Sequence, residues 1–168
     1  MLGFKIDESM SGSHHFVVAD GEKQDDGKSH DRPLCFGLTW GNRNIFRWLN
    51  PFSGQFLFNE ARGVITVDGL ARKADCTGSL QLLYFTQRKI RYVLNFKGDD
   101  GRSYRYVGEK INLWPWNLHK THVTCYGTIT DLEADQKISE SVVYFPYRQI
   151  LPFMLSFRFR LGGVFKYA

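Results

Sequence analysis

After Pro33 the chain alternates short apolar runs with turn-forming residues at spacings of about ten residues. Leu34 to Trp40 reads as a strand closed by Gly41-Asn42, and Asn44 to Asn50 as a helical turn ahead of Pro51. A β-branched run bounded by Gly63 and Gly69 is followed by Cys76 to Tyr84, where Leu80, Leu82 and Tyr84 share a face. Tyr92, Leu94 and Phe96 alternate with Val93 and Asn95, and Tyr104, Tyr106 and Gly108 alternate with Arg105 and Val107. The intervening Gly98-Asp99-Asp100-Gly101 predicts a hairpin, because an Asp-Gly step supplies the positive backbone angles of a tight turn. Val123 to Ile129 and Ser141 to Tyr147 read as two further strands. Beyond them two periods compete, and a short helix over 147–154 leading into a strand over 155–161 is the expected solution.

Seven to nine short strands with one or two short helices predict a mainly antiparallel all-β domain, either a lipocalin-like barrel or a closely packed sandwich. The length of 168 residues suits a single domain. Residues 20–33 carry no large apolar side chain and are expected to be an exposed loop within it.

Composition changes this picture in one respect. Aromatic residues make up 15% of the chain (14 Phe, 8 Tyr and 4 Trp), a load that excludes intrinsic disorder and needs an account. Net charge is +5, with residues 1–34 acidic and the remainder basic. A basic body attracts phosphates, nucleic acid or an anionic lipid surface, although no block of five or six like charges occurs. Cys35, Cys76 and Cys125 form no C-x-x-C pair and are expected to be buried reduced thiols. The first ten residues carry Asp7 and Glu8 in place of a basic then apolar leader, and no apolar run is long enough to span a membrane as a helix. A cytoplasmic protein without a transmembrane segment is expected.

Several motifs together carry a family resemblance: Met10-Ser-Gly12-Ser-His14-His-Phe16, Gly63-Val-Ile, Tyr92-x-Leu-x-Phe96, Gly101-x-x-Tyr104-x-Tyr106-x-Gly108-x-Lys110, and Trp114-x-x-x-Leu118 ahead of a strand ending at Gly127. The chain resembles the β-rich accessory domain found beside bacterial glucose-methanol-choline oxidoreductases of the cholesterol-oxidase-like type, and beside esterase-like or patatin-like proteins. The resemblance covers residues 4 to about 160. It implies a non-catalytic module of lipid metabolism that handles an apolar ligand or docks a lipid-active enzyme. The catalytic apparatus of those neighbours is missing from this sequence.

No G-x-G-x-x-G, Walker A loop or G-x-S-x-G occurs, and no cofactor is expected. The histidines fall at 14, 15, 30, 119 and 122; in a strand His14 and His15 face opposite sides, as do His119 and His122, so a metal is not expected. Glu109, beside Lys110, is the carboxylate best placed for acid-base work, with a surface ion pair as its ordinary alternative. Tyr104 and Tyr106 share a face opposite Arg105, which separates stacking rings from charge and argues against nucleic acid.

The aromatic clusters are the stronger signal. Phe36, Trp40 and Trp48 lie in one stretch, and Trp114 and Trp116 flank Pro115 in another. These residues, with Tyr104, Tyr106 and Lys110, form the candidate ligand site, with Lys110 available to an acidic headgroup. The expected function is a non-catalytic binding module for a hydrophobic small molecule, lipid or sterol-like. The alternatives are a docking domain for a separately encoded lipid-active enzyme and a cofactor-free barrel enzyme using Glu109 or a histidine as base.

Overall fold

A computed structural model describes residues 2–17, 31–113, 123–146, 148 and 155–161, with side chains described as far as Phe159. The strands are β1 (Leu2–Phe16), β2 (Arg32–Asn42), β3 (Phe58–Val67), β4 (Ala71–Leu83), β5 (Lys89–Lys97), β6 (Ser103–Lys110), β7 (Thr124–Asp131), β8 (Gln136–Tyr144) and β9 (Arg158–Leu161). Two short helices, α1 (Ile45–Leu49) and α2 (Tyr84–Gln87), join β2 to β3 and β4 to β5. Each strand from β2 to β8 pairs antiparallel with the next, and β1 pairs with both β8 and β2. The sheet therefore closes into an eight-stranded barrel, the first of the two architectures expected. Among the described residues no helix is long and apolar enough to cross a membrane.

Strand β1 is the closing element and the one the hydrophobic pattern misses. It pairs with β2 from Phe4 to His14, with β8 from Ser11 to Phe16, and with β9 from Leu2 to Lys5. Its inward positions are Phe4, Ile6, Glu8, Met10, Gly12 and His14, so a charged and a polar residue interrupt the apolar alternation. β9 fills the slot that β8 leaves beside β1. It is held there by Arg158, which donates to the Asp7 carboxylate (2.6 Å), and by Ser156 Oγ, which accepts the Asp7 backbone N–H (2.9 Å).

Several expected elements stand where the pattern put them. The 92–108 hairpin forms with Tyr92 opposite Gly108 and Phe96 opposite Tyr104, and its turn uses Gly101 at φ +81°. Asn44 caps α1, its side chain accepting from the backbone of Phe46 and Arg47. Others differ. β8 starts at Gln136, five residues before the expected Ser141, because Lys137 and Gln136 extend the pairing to Thr130 and Asp131 past a bulge at Ile129/Thr130. β2 begins at Arg32, inside the expected 20–33 loop, whose residues 20–30 lie outside the described set. The expected 147–154 helix also lies outside it except for Arg148. Cys35 points outward and is exposed, whereas Cys76 and Cys125 point into the barrel, where burial raises their thiols to about 11 and about 12.

An eight-stranded barrel is just wide enough for side chains to fill or for one small ligand. Here the middle is filled. Ile65, Leu94, Tyr106, Ile129 and Val143 have no accessible surface, and Tyr92 and Met10 have 1%. A water-sized void beside these residues would leave them partly accessible. The phenol of Tyr106 lies over the inward faces of Gly108 and Gly127; a Cβ at Gly127 would meet its ring at 2.4 Å. Two glycines side by side on β6 and β7 thus make room for one large ring at the centre.

The β-turns 68–70, 98–102 and 132–135 gather at one end of the barrel, here called the turn end; α1 and α2 stand at the other, the helical end. The turn end is locked by polar contacts. His14 joins the Ser139 hydroxyl through Nδ1 (2.8 Å) and the Asp68 carbonyl through Nε2 (3.0 Å). A carbonyl only accepts, so Nε2 carries the hydrogen; the Ser139 hydroxyl also donates to the His15 carbonyl at 2.8 Å, which ties β8 to β1 beside the ring. Burial lowers the His14 pKa below its ordinary 6.5, which outweighs the Asp68 carbonyl's opposing effect. Asp131, with its carboxylate accepting from the backbone of Glu133 and Ala134 and from Arg102, is likewise held below the usual carboxylate range.

Both groups have depressed folded-state pKa values, so the unfolded chain binds protons more readily and stability falls as pH falls. The His14 contribution is complete above its ordinary pKa of 6.5 and declines below it; that of Asp131 declines at more acid pH. Urea unfolding across this range is expected to show a midpoint falling below pH 6.5 in the wild type, and in His14→Gln a lower midpoint that no longer changes over the same interval. An unchanged pH slope in the variant contradicts the assignment.

Candidate functional site

One charged pair is enclosed near the helical end. Glu8 on β1 and Lys110 at the end of β6 are 6% and 3% exposed, and Lys110 Nζ donates to Glu8 Oε1 at 2.8 Å. The Tyr92 hydroxyl donates to the same carboxylate (3.0 and 3.2 Å to its two oxygens), and the Trp40 indole donates to Oε2 at 3.0 Å. The Lys110 ammonium also stands over the Tyr92 ring, 5.3 Å from its centroid, and 5.7 Å from that of Phe145. Burial, then the Glu8 charge, push the Tyr92 phenol well above its ordinary pKa, so it remains a neutral donor.

The strand alternation explains the convergence. Glu8, Trp40, Tyr92 and Lys110 all occupy inward positions, and the registers place Ile6 opposite Trp40 and Ile90 opposite Lys110. Above the pair lies an aromatic mouth. Phe4 meets Trp40 edge-on (6.3 Å between centroids), Trp48 of α1 at 4.9 Å, and Phe157 in a stack at 5.4 Å. Tyr84 at the start of α2 and Leu82 are half-buried on the opposite wall. The Trp48 indole N–H is buried and has no hydrogen-bond partner among the described residues.

The sequence-derived candidates therefore separate. Trp40, Trp48 and Lys110 meet at the helical end, with Phe4 as the ring common to both indoles. Phe36 and Tyr106 are packed into the filled middle, 5.6 Å apart. Tyr104 is at the turn end, where it donates to Asp100 at 2.6 Å and burial raises its phenol to about 12. Trp114 and Trp116 lie outside the described residues, as do His30, His119 and His122. Glu109 faces outward and pairs with Lys89 (2.9 Å) and Arg91 (3.7 Å). The enclosed carboxylate is Glu8, which motif reading missed. Its signal was an acidic residue at an inward step of the Phe4, Ile6, Met10 alternation.

A concavity of about 780 Å³ lies elsewhere, on the outer face of β6, β7 and β8 beside Ser13 and His15. Its charged groups are paired with one another or with neighbours: His15 and Lys137 with Glu140, and Lys89 with Glu109. Ser141 on its lining has a buried hydroxyl without a partner among the described residues, but the concavity has no enclosed ion pair like that of the mouth. His14 and His15 do face opposite sides of β1, and among the described residues no cluster of three or more metal-ligating groups occurs.

Removing one member of a buried ion pair strands the other charge, at a cost of about 3–5 kcal/mol, whereas replacing both is far milder. Glu8→Gln and Lys110→Met are each expected to lose stability of that order. The double variant is expected to lose less than either, because the amide introduced by Glu8→Gln still accepts from Tyr92 and Trp40. A double-mutant cycle by urea unfolding checks this; strictly additive losses contradict it.

No protein-family model matches the chain, and neither a curated protein nor a solved structure does. The resemblance to the accessory domain beside cholesterol-oxidase-like enzymes therefore rests on its sequence motifs alone.

Proposed function

We propose that the protein is a binding module for a small, largely apolar molecule bearing a hydrogen-bond acceptor, lipid or sterol-like in class, held at the aromatic mouth of the helical end. The observation that carries this reading is the Glu8–Lys110 pair set beneath rings in a barrel whose middle is solid. Two opposite charges in a hydrophobic interior add little net stability compared with apolar side chains of the same size. Their value to a ligand site is a fixed polar floor under an apolar wall, the arrangement that orients small molecules in pockets. The buried, unpaired Trp48 N–H supplies a donor at the same end, suited to a carbonyl, hydroxyl or carboxylate oxygen.

Catalysis is the weaker reading. A general base needs a lone pair free to take a proton. Glu8 already accepts from Lys110, Tyr92 and Trp40, and its charge is balanced by Lys110.

Titration with oleate, cholesterol and a naphthalene-sulfonate dye, followed by tryptophan emission, tests the reading. A saturable change is expected with at least one of the three. Trp48→Phe is expected to weaken that ligand about tenfold, the loss of roughly one hydrogen bond, while Tyr104→Phe at the far end leaves affinity unchanged. Absence of a saturable change with all three, or equal loss in both variants, contradicts the proposal.

A further inference from the structure

The helical end carries an apolar surface that the barrel does not use. Phe52 is 97% exposed, Phe85 82%, Leu155 75% and Phe46 74%. They project from four parts of one rim: α1, the loop after it, α2 and the approach to β9. The Phe56 and Phe85 rings stack at 6.2 Å, joining the loop after α1 to α2. Hydrogen bonds from Leu57 N–H to the Trp48 carbonyl and from Leu82 N–H to the Leu57 carbonyl fix the loops against each other.

Charge divides along the same axis. The described parts of the segments at this end, 43–57, 84–88, 111–113, 145–146, 148 and 155–157, contain no Asp or Glu. Their described cations include exposed Arg47, Arg88 and Arg148. The nearest carboxylates lie on the strands, and Asp7, Glu60 and Glu109 are each ion-paired, to Arg158, Arg43 and Lys89. At the turn end the loops instead carry Asp68, Asp99, Asp100, Glu133 and Asp135 against Arg102. The outer barrel wall, with Arg62, Arg91, Arg105 and Glu140 at outward positions, is too charged to face lipid tails.

We propose that the helical end docks on the surface of an anionic lipid bilayer, with Phe52, Phe85, Phe46 and Leu155 entering the interface and the surrounding arginines meeting lipid phosphates. Exposed rings and leucines within a cationic rim are the combination that binds such a surface through apolar insertion plus attraction to anionic headgroups. Docking stands independently of ligand binding, although it would place the aromatic mouth against the membrane.

Co-sedimentation of the full chain with vesicles tests it. Binding is expected to phosphatidylcholine vesicles containing roughly one phosphatidylglycerol in three, to be much weaker to pure phosphatidylcholine, and to fall severalfold as salt rises from about 0.05 to 0.5 M. Phe52→Ser/Phe85→Ser and Arg47→Glu/Arg148→Glu change exposed side chains and are each expected to reduce bound protein about tenfold, with unchanged far-ultraviolet circular dichroism and an unchanged response to the mouth ligand. No binding, binding indifferent to lipid charge, or binding untouched in both variants overturns the proposal. So does a concentration-dependent dimer, abolished by Phe52→Ser/Phe85→Ser and accompanied by no vesicle binding, which would assign the patch to a second copy of the chain.

Discussion

The enclosed pair of Glu8 and Lys110 is the constraint around which the helical half of the barrel is organised. Once a carboxylate is held inside, its oxygens must be satisfied, and three donors from three different strands converge on it: Lys110 from β6, Tyr92 from β5 and Trp40 from β2. Those contacts connect the closing strand to the far wall, so barrel closure and site geometry are the same set of interactions. The middle of the barrel needs no such device. It is filled by Tyr106, Leu94, Ile65 and their neighbours, packed over two glycines.

This division gives the barrel a polarity along its axis. The turn end is sealed by His14 and Asp131, both paired with backbone groups, and its loops are acidic. The helical end has an aromatic mouth and an exposed apolar rim, and among the described residues its indole donor is unpaired and its connecting segments carry no acidic side chain. The binding function proposed for the helical end rests on this asymmetry.

Much of the fold was legible because its signals are local. Alternation on β5 and β6 with an Asp-Gly turn specifies a hairpin, and Asn44 ahead of Ile45 specifies a capped helical turn. The closing strand was not legible, since Glu8 and His14 occupy inward steps and break the alternation that would mark it. Both exceptions have polar partners distant in sequence: Lys110 for Glu8, Ser139 for His14. No local pattern announces such pairings. The aromatic residues divide in the same way. Alternation alone could not separate Tyr106, a core filler, from Trp40, which grips the buried carboxylate, because both occupy inward positions.

The indole N–H resonances provide the most direct test, through a two-dimensional ¹H–¹⁵N spectrum of the protein titrated with oleate. Trp40 already donates to Glu8, whereas the Trp48 donor has no partner among the described residues. The account predicts a large, saturable downfield shift of the Trp48 resonance, a small change at Trp40, and none in the backbone signals of Leu94, Ile129 or Asp131. Shifts centred on the barrel middle or the turn end, or an unmoved Trp48 resonance at saturation, would contradict it.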